Sequence, residues 1–177
     1  GILDVRSVAE FYGTSLVKLT CDVLTGSLKH PTIEDLSSVD ISTLIKDRPR
    51  SYQLECFCAA ALFPSIIQIP TGSGKTLISV MLASLYKRLN PGRMVWFLTD
   101  RIPLVFQQAR YIEEQTSLTV LPMAGEVVTN IKPSQLIKYD VLVCTVQLLI
   151  NMLLIGQIRI EDVSLVIIDE VHHATRN

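Results

Sequence analysis

The sequence predicts an α/β protein: a mostly parallel sheet flanked by helices, preceded by a helical lead-in. Three observations carry this. Short, β-branched apolar runs alternate with apolar patterns of helical length. The composition, 49% hydrophobic and 19% charged, leans apolar, as expected when parallel strands are buried on both faces. Polar residues able to do chemistry fall repeatedly just past the runs that read as strands. In open α/β sheets that is the edge where ligands bind.

At 177 residues the chain is about one domain long and sufficient for a sizeable core. Its formal net charge is −1, so no global field draws in a polyanion, and nucleic acid would need a local groove. Cys21, Cys56, Cys58 and Cys144 fit no zinc spacing. They read as buried or half-buried thiols of a reducing, intracellular compartment, cytoplasmic or nuclear. No basic-then-apolar leader opens the chain. Val141 to Ile160 is interrupted by Thr145, Gln147, Asn151, Gly156, Gln157 and Arg159, so it suits a strand and an amphipathic helix better than a membrane span.

Residues 1–47 read as a helical extension. Val5, Val8, Ala9, Tyr12, Leu16, Leu19 and Val23 recur every three or four positions and predict one helix ending near Gly26. Pro31 and Thr32 open a second, shorter helix, which Thr32 and Asp35 can cap. Ser51 can cap a helix running to about Leu62 and stopped before Pro64. This helix carries Gln53 just upstream of the glycine-rich loop described next. An amide there can read adenine through paired hydrogen bonds, with Tyr52 or Arg50 stacking on the base.

Ile66 to Thr76 is the chemical centre. A β-branched run ends in Pro70, and Thr71-Gly72-Ser73-Gly74-Lys75-Thr76 follows. A helical pattern then runs from Leu77 to Leu89. Strand, glycine loop and helix in that order make a phosphate-binding loop. Gly72 and Gly74 let backbone N–H groups turn inward at the positive end of a helix. Lys75 reaches the β- and γ-phosphates, and the Thr76 hydroxyl can ligate magnesium.

Asn90-Pro91-Gly92 makes a turn, and Met94 to Thr99 reads as a buried strand. Asp100 can cap the next helix, with Pro103 in its first turn and Leu104, Phe106, Ala109 and Ile112 along it. Leu118–Leu121 is a third strand, and Gly125–Gln135 is polar and reads as loop. Asp140 to Thr145 is the fourth strand, a helix covers Val146 to Leu154, and Val163 to Ile168 is the fifth strand. Beyond it stand Asp169 and Glu170. Asp169 can hold magnesium through the metal's waters, opposite Thr76. Glu170 can orient or deprotonate a water for in-line attack on the γ-phosphate. His172 can link the nucleotide site to whatever packs over it.

These residues resemble a known family. Arg50-Ser-Tyr-Gln53 is similar to the adenine-reading Q motif of superfamily 2 helicases. Pro70 to Thr76 resembles their motif I, and Asp169-Glu-Val-His172 resembles motif II of the DExH type. Phe97 to Gln108, Cys144 to Gln147 and Asp169 to Thr175 resemble the Dicer-like and RIG-I-like branch, especially fungal Dicer-like proteins. Two positions depart from the pattern: Ile69 stands where a small residue is usual, and Val146 where proline often follows the motif threonine. The resemblance covers about residues 48–177 and implies the first RecA-like lobe of an ATP-dependent enzyme acting on double-stranded RNA. It implies Gln53 on adenine, Lys75 and Thr76 on phosphate and Mg2+, and Asp169 and Glu170 in metal and water roles. Thr99, Gln108, Thr145 and Gln147 become candidates for contacts near one RNA strand. It further implies a motif III, a second RecA-like lobe that supplies arginines to the γ-phosphate, and so a parent enzyme longer than this chain. A DNA translocase lobe of the same superfamily, or a non-catalytic binding module, are the alternative readings.

Overall fold

A computed structural model of the chain describes residues 15–20, 28–62, 66–67, 74–125 and 131–170, with backbone alone for 15–20, 66–67 and 170. The strands are β1 (Ser15–Thr20), β2 (Ile66–Ile67), β3 (Met94–Thr99), β4 (Val120–Pro122), β5 (Val141–Thr145) and β6 (Val163–Glu170). The α-helices are α1 (Ile33–Ser38), α2 (Ser51–Leu62), α3 (Lys75–Leu89), α4 (Ile102–Gln115), α5 (Pro133–Leu136) and α6 (Val146–Leu154).

Among the described residues the sheet runs β2-β1-β6-β3-β5-β4. Strands β6, β3, β5 and β4 run parallel to one another. Strand β1 is antiparallel to both β2 and β6. The predicted α/β class is borne out. No described helix is long and apolar enough to cross a membrane.

Period-two alternation sorts the strand side chains into two layers. Val95, Phe97, Val141, Val143, Leu165 and Ile167 face α2, α3 and α4. Trp96, Leu98, Leu142, Cys144, Val166 and Ile168 face α5 and α6. Helix α3 is buried from Leu77 through Tyr86, which is why its sequence is apolar almost all round. Burial pushes the Cys144 thiol up to about 12. Cys56 is half-buried, whereas Cys58 is exposed, at variance with a buried or half-buried set.

The segment before α2 is laced to the same layer. Asn90 accepts from the Lys29 N–H at 2.8 Å and donates back to the Lys29 carbonyl at 2.9 Å. Gln115 accepts from the N–H of Lys46 (2.8 Å) and, through its side chain, of Asp47 (2.9 Å). Leu44 and Ile45 lie in the core beneath α3.

Several elements differ from expectation. Residues 15–20 form a strand, not part of a helix. Their three-to-four-residue periodicity is overridden by the ladder hydrogen bonds that β2 and β6 offer on either side. Residues 1–14 and 21–27 lie outside the described residues. The capping box of α1 is as expected: the Thr32 hydroxyl accepts from the Asp35 N–H, and Asp35 accepts from the Thr32 N–H. The cap of α4 is Arg101 without a side-chain bond, not Asp100; Pro103 does occupy the first turn. Strand β4 begins at Val120, and Pro133 opens the short helix α5 inside the predicted loop.

Candidate functional site

Asp169 of β6, Thr99 of β3 and Thr145 of β5 stand in register across the sheet, where β3 and β5 end; β6 runs on to Glu170, two residues past its predicted end. Helix α3 begins beside that edge. Its N-cap is Gly74, at φ 77°, with no side chain to close the first turn. A side chain there would be strained and would run into the Gln53 amide. The first-turn N–H groups therefore have no capping side chain and sit at the positive end of a buried helix, an arrangement suited to an anion.

Lys75 and Asp169 meet at this edge. The ammonium is 3.1 Å from Oδ1, and the two side chains are 12% and 6% exposed. The contact is an ion pair and not a hydrogen bond, for Asp169 Oδ1 is buried without a hydrogen-bond partner. A buried carboxylate oxygen met by an ammonium and by no further donor keeps lone-pair capacity for a ligand. Among the described residues no group of three or more His, Cys, Asp or Glu could hold a metal alone. A magnesium ion would fit here on one carboxylate, the Thr76 hydroxyl, phosphate oxygens and water, the sparse oxygen set it commonly takes.

Gln53 is buried at the start of α2 with both ends of its amide engaged. Oε1 accepts from the Arg50 N–H at 2.7 Å, and Nε2 donates to the Gly74 carbonyl at 3.1 Å. The residue predicted to read adenine is thus beside the phosphate loop and braces it. Tyr52 is half-buried, its hydroxyl near Gly74.

The four residues predicted to contact nucleic acid are scattered in role. Thr99 is buried, its hydroxyl donating to the Arg101 carbonyl. Thr145 caps α6, accepting from the Leu148 N–H. Gln147 alone of the four is exposed, donating to Asn151. Gln108 turns to Asp169 Oδ2 at 3.4 Å. Thr71, Gly72, Ser73 and His172 lie outside the described residues, as does the Glu170 side chain.

A cleft of about 410 Å³ opens between the start of α3 and the flank of α4. Gly74 and Thr76 line one side, and Gln107, Gln108, Tyr111 and Glu114 the other. Burial, with Asp47 and Glu114 adding to it, raises the Tyr111 hydroxyl above the usual tyrosine range. Sequence reasoning missed the cleft's α4 wall. Its signal was the spacing 107, 111, 114, one helical stripe of polar residues facing another helix.

A helix N-terminus open to anions, a lysine at its first position and a strand-end aspartate paired with that lysine define a helicase-type ATP-binding lobe. Residues 50–177 match the DEAD/DEAH box helicase family, and the chain belongs to it. Dicer-like protein 1 of Aspergillus oryzae is 33% identical over 92% of this chain and 12% of its own length. Endoribonuclease Dicer homolog 2b of Oryza sativa subsp. japonica is 39% identical over 75% of the chain and 10% of its own. Endoribonuclease Dicer homolog 1 of Arabidopsis thaliana is 36% identical over 75% of the chain and 7% of its own. The resemblance to Dicer-like helicases is borne out, and the chain spans about a tenth of the length of these curated relatives.

Proposed function

We propose that this chain is the ATP-binding and ATP-hydrolysing lobe of a Dicer-like RNA helicase, coupling hydrolysis to binding of, or movement along, double-stranded RNA. The observation that carries the reading is the 3.1 Å ion pair between Lys75 and Asp169, which brings the phosphate-binding and acidic halves together. Entering β- and γ-phosphates compete for Lys75 with an anion already at hand. As the lysine turns to them, Asp169 Oδ1 is released toward the phosphate site. Bound magnesium would neutralise charge that develops on the phosphate oxygens. Glu170, one residue further along β6, orients or deprotonates the attacking water. His172 carries the contact to a second lobe.

An arginine supplied from outside is worth about 10³-fold or more in phosphoryl transfer. The lobe alone is therefore expected to bind nucleotide weakly and hydrolyse it very slowly. Calorimetry with magnesium and ATP on the wild-type chain and Lys75→Ala tests the reading. Binding in the first and at least a tenfold loss in the second is the expected result. A folded wild-type chain that binds nothing would defeat it for this lobe. Stimulation of ATP hydrolysis by double-stranded RNA over double-stranded DNA, in a form carrying both lobes, separates the RNA reading from a DNA translocase.

A further inference from the structure

Asp169 has two carboxylate oxygens, and each is met from a different helix. Lys75 on α3 approaches Oδ1, and Gln108 on α4 donates to Oδ2 through Nε2 at 3.4 Å. Thr99 stands beside Asp169 in the sheet register, but its hydroxyl is turned to the Arg101 carbonyl. A carboxylate rotates readily about its last torsion, because that torsion has broad minima. Something must fix the plane if one particular oxygen is to face the phosphate site.

We propose that Gln108 is a positioning residue that holds the Asp169 carboxylate by Oδ2 and so presents Oδ1 to magnesium. The inference rests on the ATP reading above and deepens it. While Lys75 is on Oδ1 the plane is held from both sides. Once phosphates draw Lys75 away, the Gln108 amide still holds the carboxylate against free rotation. The contact is long, and its acceptor is a buried carboxylate oxygen. It ties metal affinity to the position of α4, a helix that also walls the cleft beside the phosphate loop. Gln108 is thereby assigned a role in the nucleotide site and not on nucleic acid.

Partners that orient a metal-binding carboxylate typically account for 10–100-fold in metal affinity. Two variants are informative: Gln108→Leu, which keeps the bulk, and Gln108→Asn, which keeps the amide but shortens its reach by one methylene. Nucleotide binding is measured for each with magnesium and with the metal chelated. Both variants should weaken magnesium-dependent ATP binding by about tenfold or more and leave metal-free binding within about twofold of wild type. Equal losses in the two conditions, or none, would overturn the proposal. A double-mutant cycle on urea unfolding, with Gln108→Leu and Asp169→Asn, needs no ligand and reads the contact itself. Non-additive effects are expected, and additive ones would sink the contact. Should the wild type bind no nucleotide while the cycle shows coupling, the ATP reading fails and the Gln108–Asp169 contact stands.

Discussion

On the face covered by α2, α3 and α4, buried apolar side chains extend from Leu44 beneath α3 to Ile167 of β6. Both faces leave apolar side chains in solvent: Ile102 (51%) and Phe106 (53%) on α4 of the first, and Ile137 (55%), Leu154 (80%) and Ile155 (66%) on and just after α5 and α6 of the second. The first face also supplies Gln53, Lys75 and Gln108, each reaching the loop or the Asp169 carboxylate from a different helix. The second supplies none of these. A site that must hold a phosphate loop against a buried carboxylate is built on the face from which three helices reach that edge of the sheet. The difference between the faces is therefore one of which side chains can be aimed at the strand ends, and not of how much apolar surface each leaves in solvent.

Three substitutions test that contrast, in falling order of effect. Phe97→Ala empties the centre of the first layer and should cost about 4 kcal/mol in urea unfolding. A loss below about 2 kcal/mol would mean that this layer collapses around the gap and does not hold Gln53, Lys75 and Gln108 firmly. Asn90→Ala removes the two bonds to Lys29 and one to the Tyr86 carbonyl, and should cost about 2 kcal/mol. If it proves neutral, residues 28–47 are not fastened to α3 as described. Leu154→Gln on the second face should shift stability by no more than about 0.5 kcal/mol. A larger loss would show that Leu154 is covered in solution, and analytical ultracentrifugation would then tell whether a second copy covers it.

Much of this arrangement was legible in the residues because the signals were local. Met94 to Thr99 is an unbroken apolar run, and Val146 to Leu154 follows a threonine that caps it; both elements stand as read. Lys75 and Asp169 were found by their positions after one strand and at the end of another, and the fold brings them together. What could not be read depends on partners distant in sequence. The resemblance singled out Gln108 as a candidate for a nucleic-acid contact, but its reach to a carboxylate 61 residues away shows only when β6 places Asp169 beside it. Gln53 was placed near the loop by its position upstream, but its bond to the Gly74 carbonyl depends on a residue 21 positions away. Residues 15–20 follow a helical spacing, and only the two strand edges on either side make them extended.

That strand has a kinetic consequence. Among the described strands β2 is hydrogen-bonded to β1 alone, and β1 is bonded on its other side to β6. The strand leading into the phosphate loop thus joins the sheet through a pairing between the earliest and the latest described segments of the chain. Contacts so far apart in sequence carry a high loop-closure entropy and form slowly. During synthesis β1 and β2 would emerge well before β6 and wait with unpaired edges, the state in which strands recruit wrong neighbours. Formation of the nucleotide site is in this way tied to completion of the sheet, and its appearance should lag behind the burial of Trp96 in a refolding experiment that follows both.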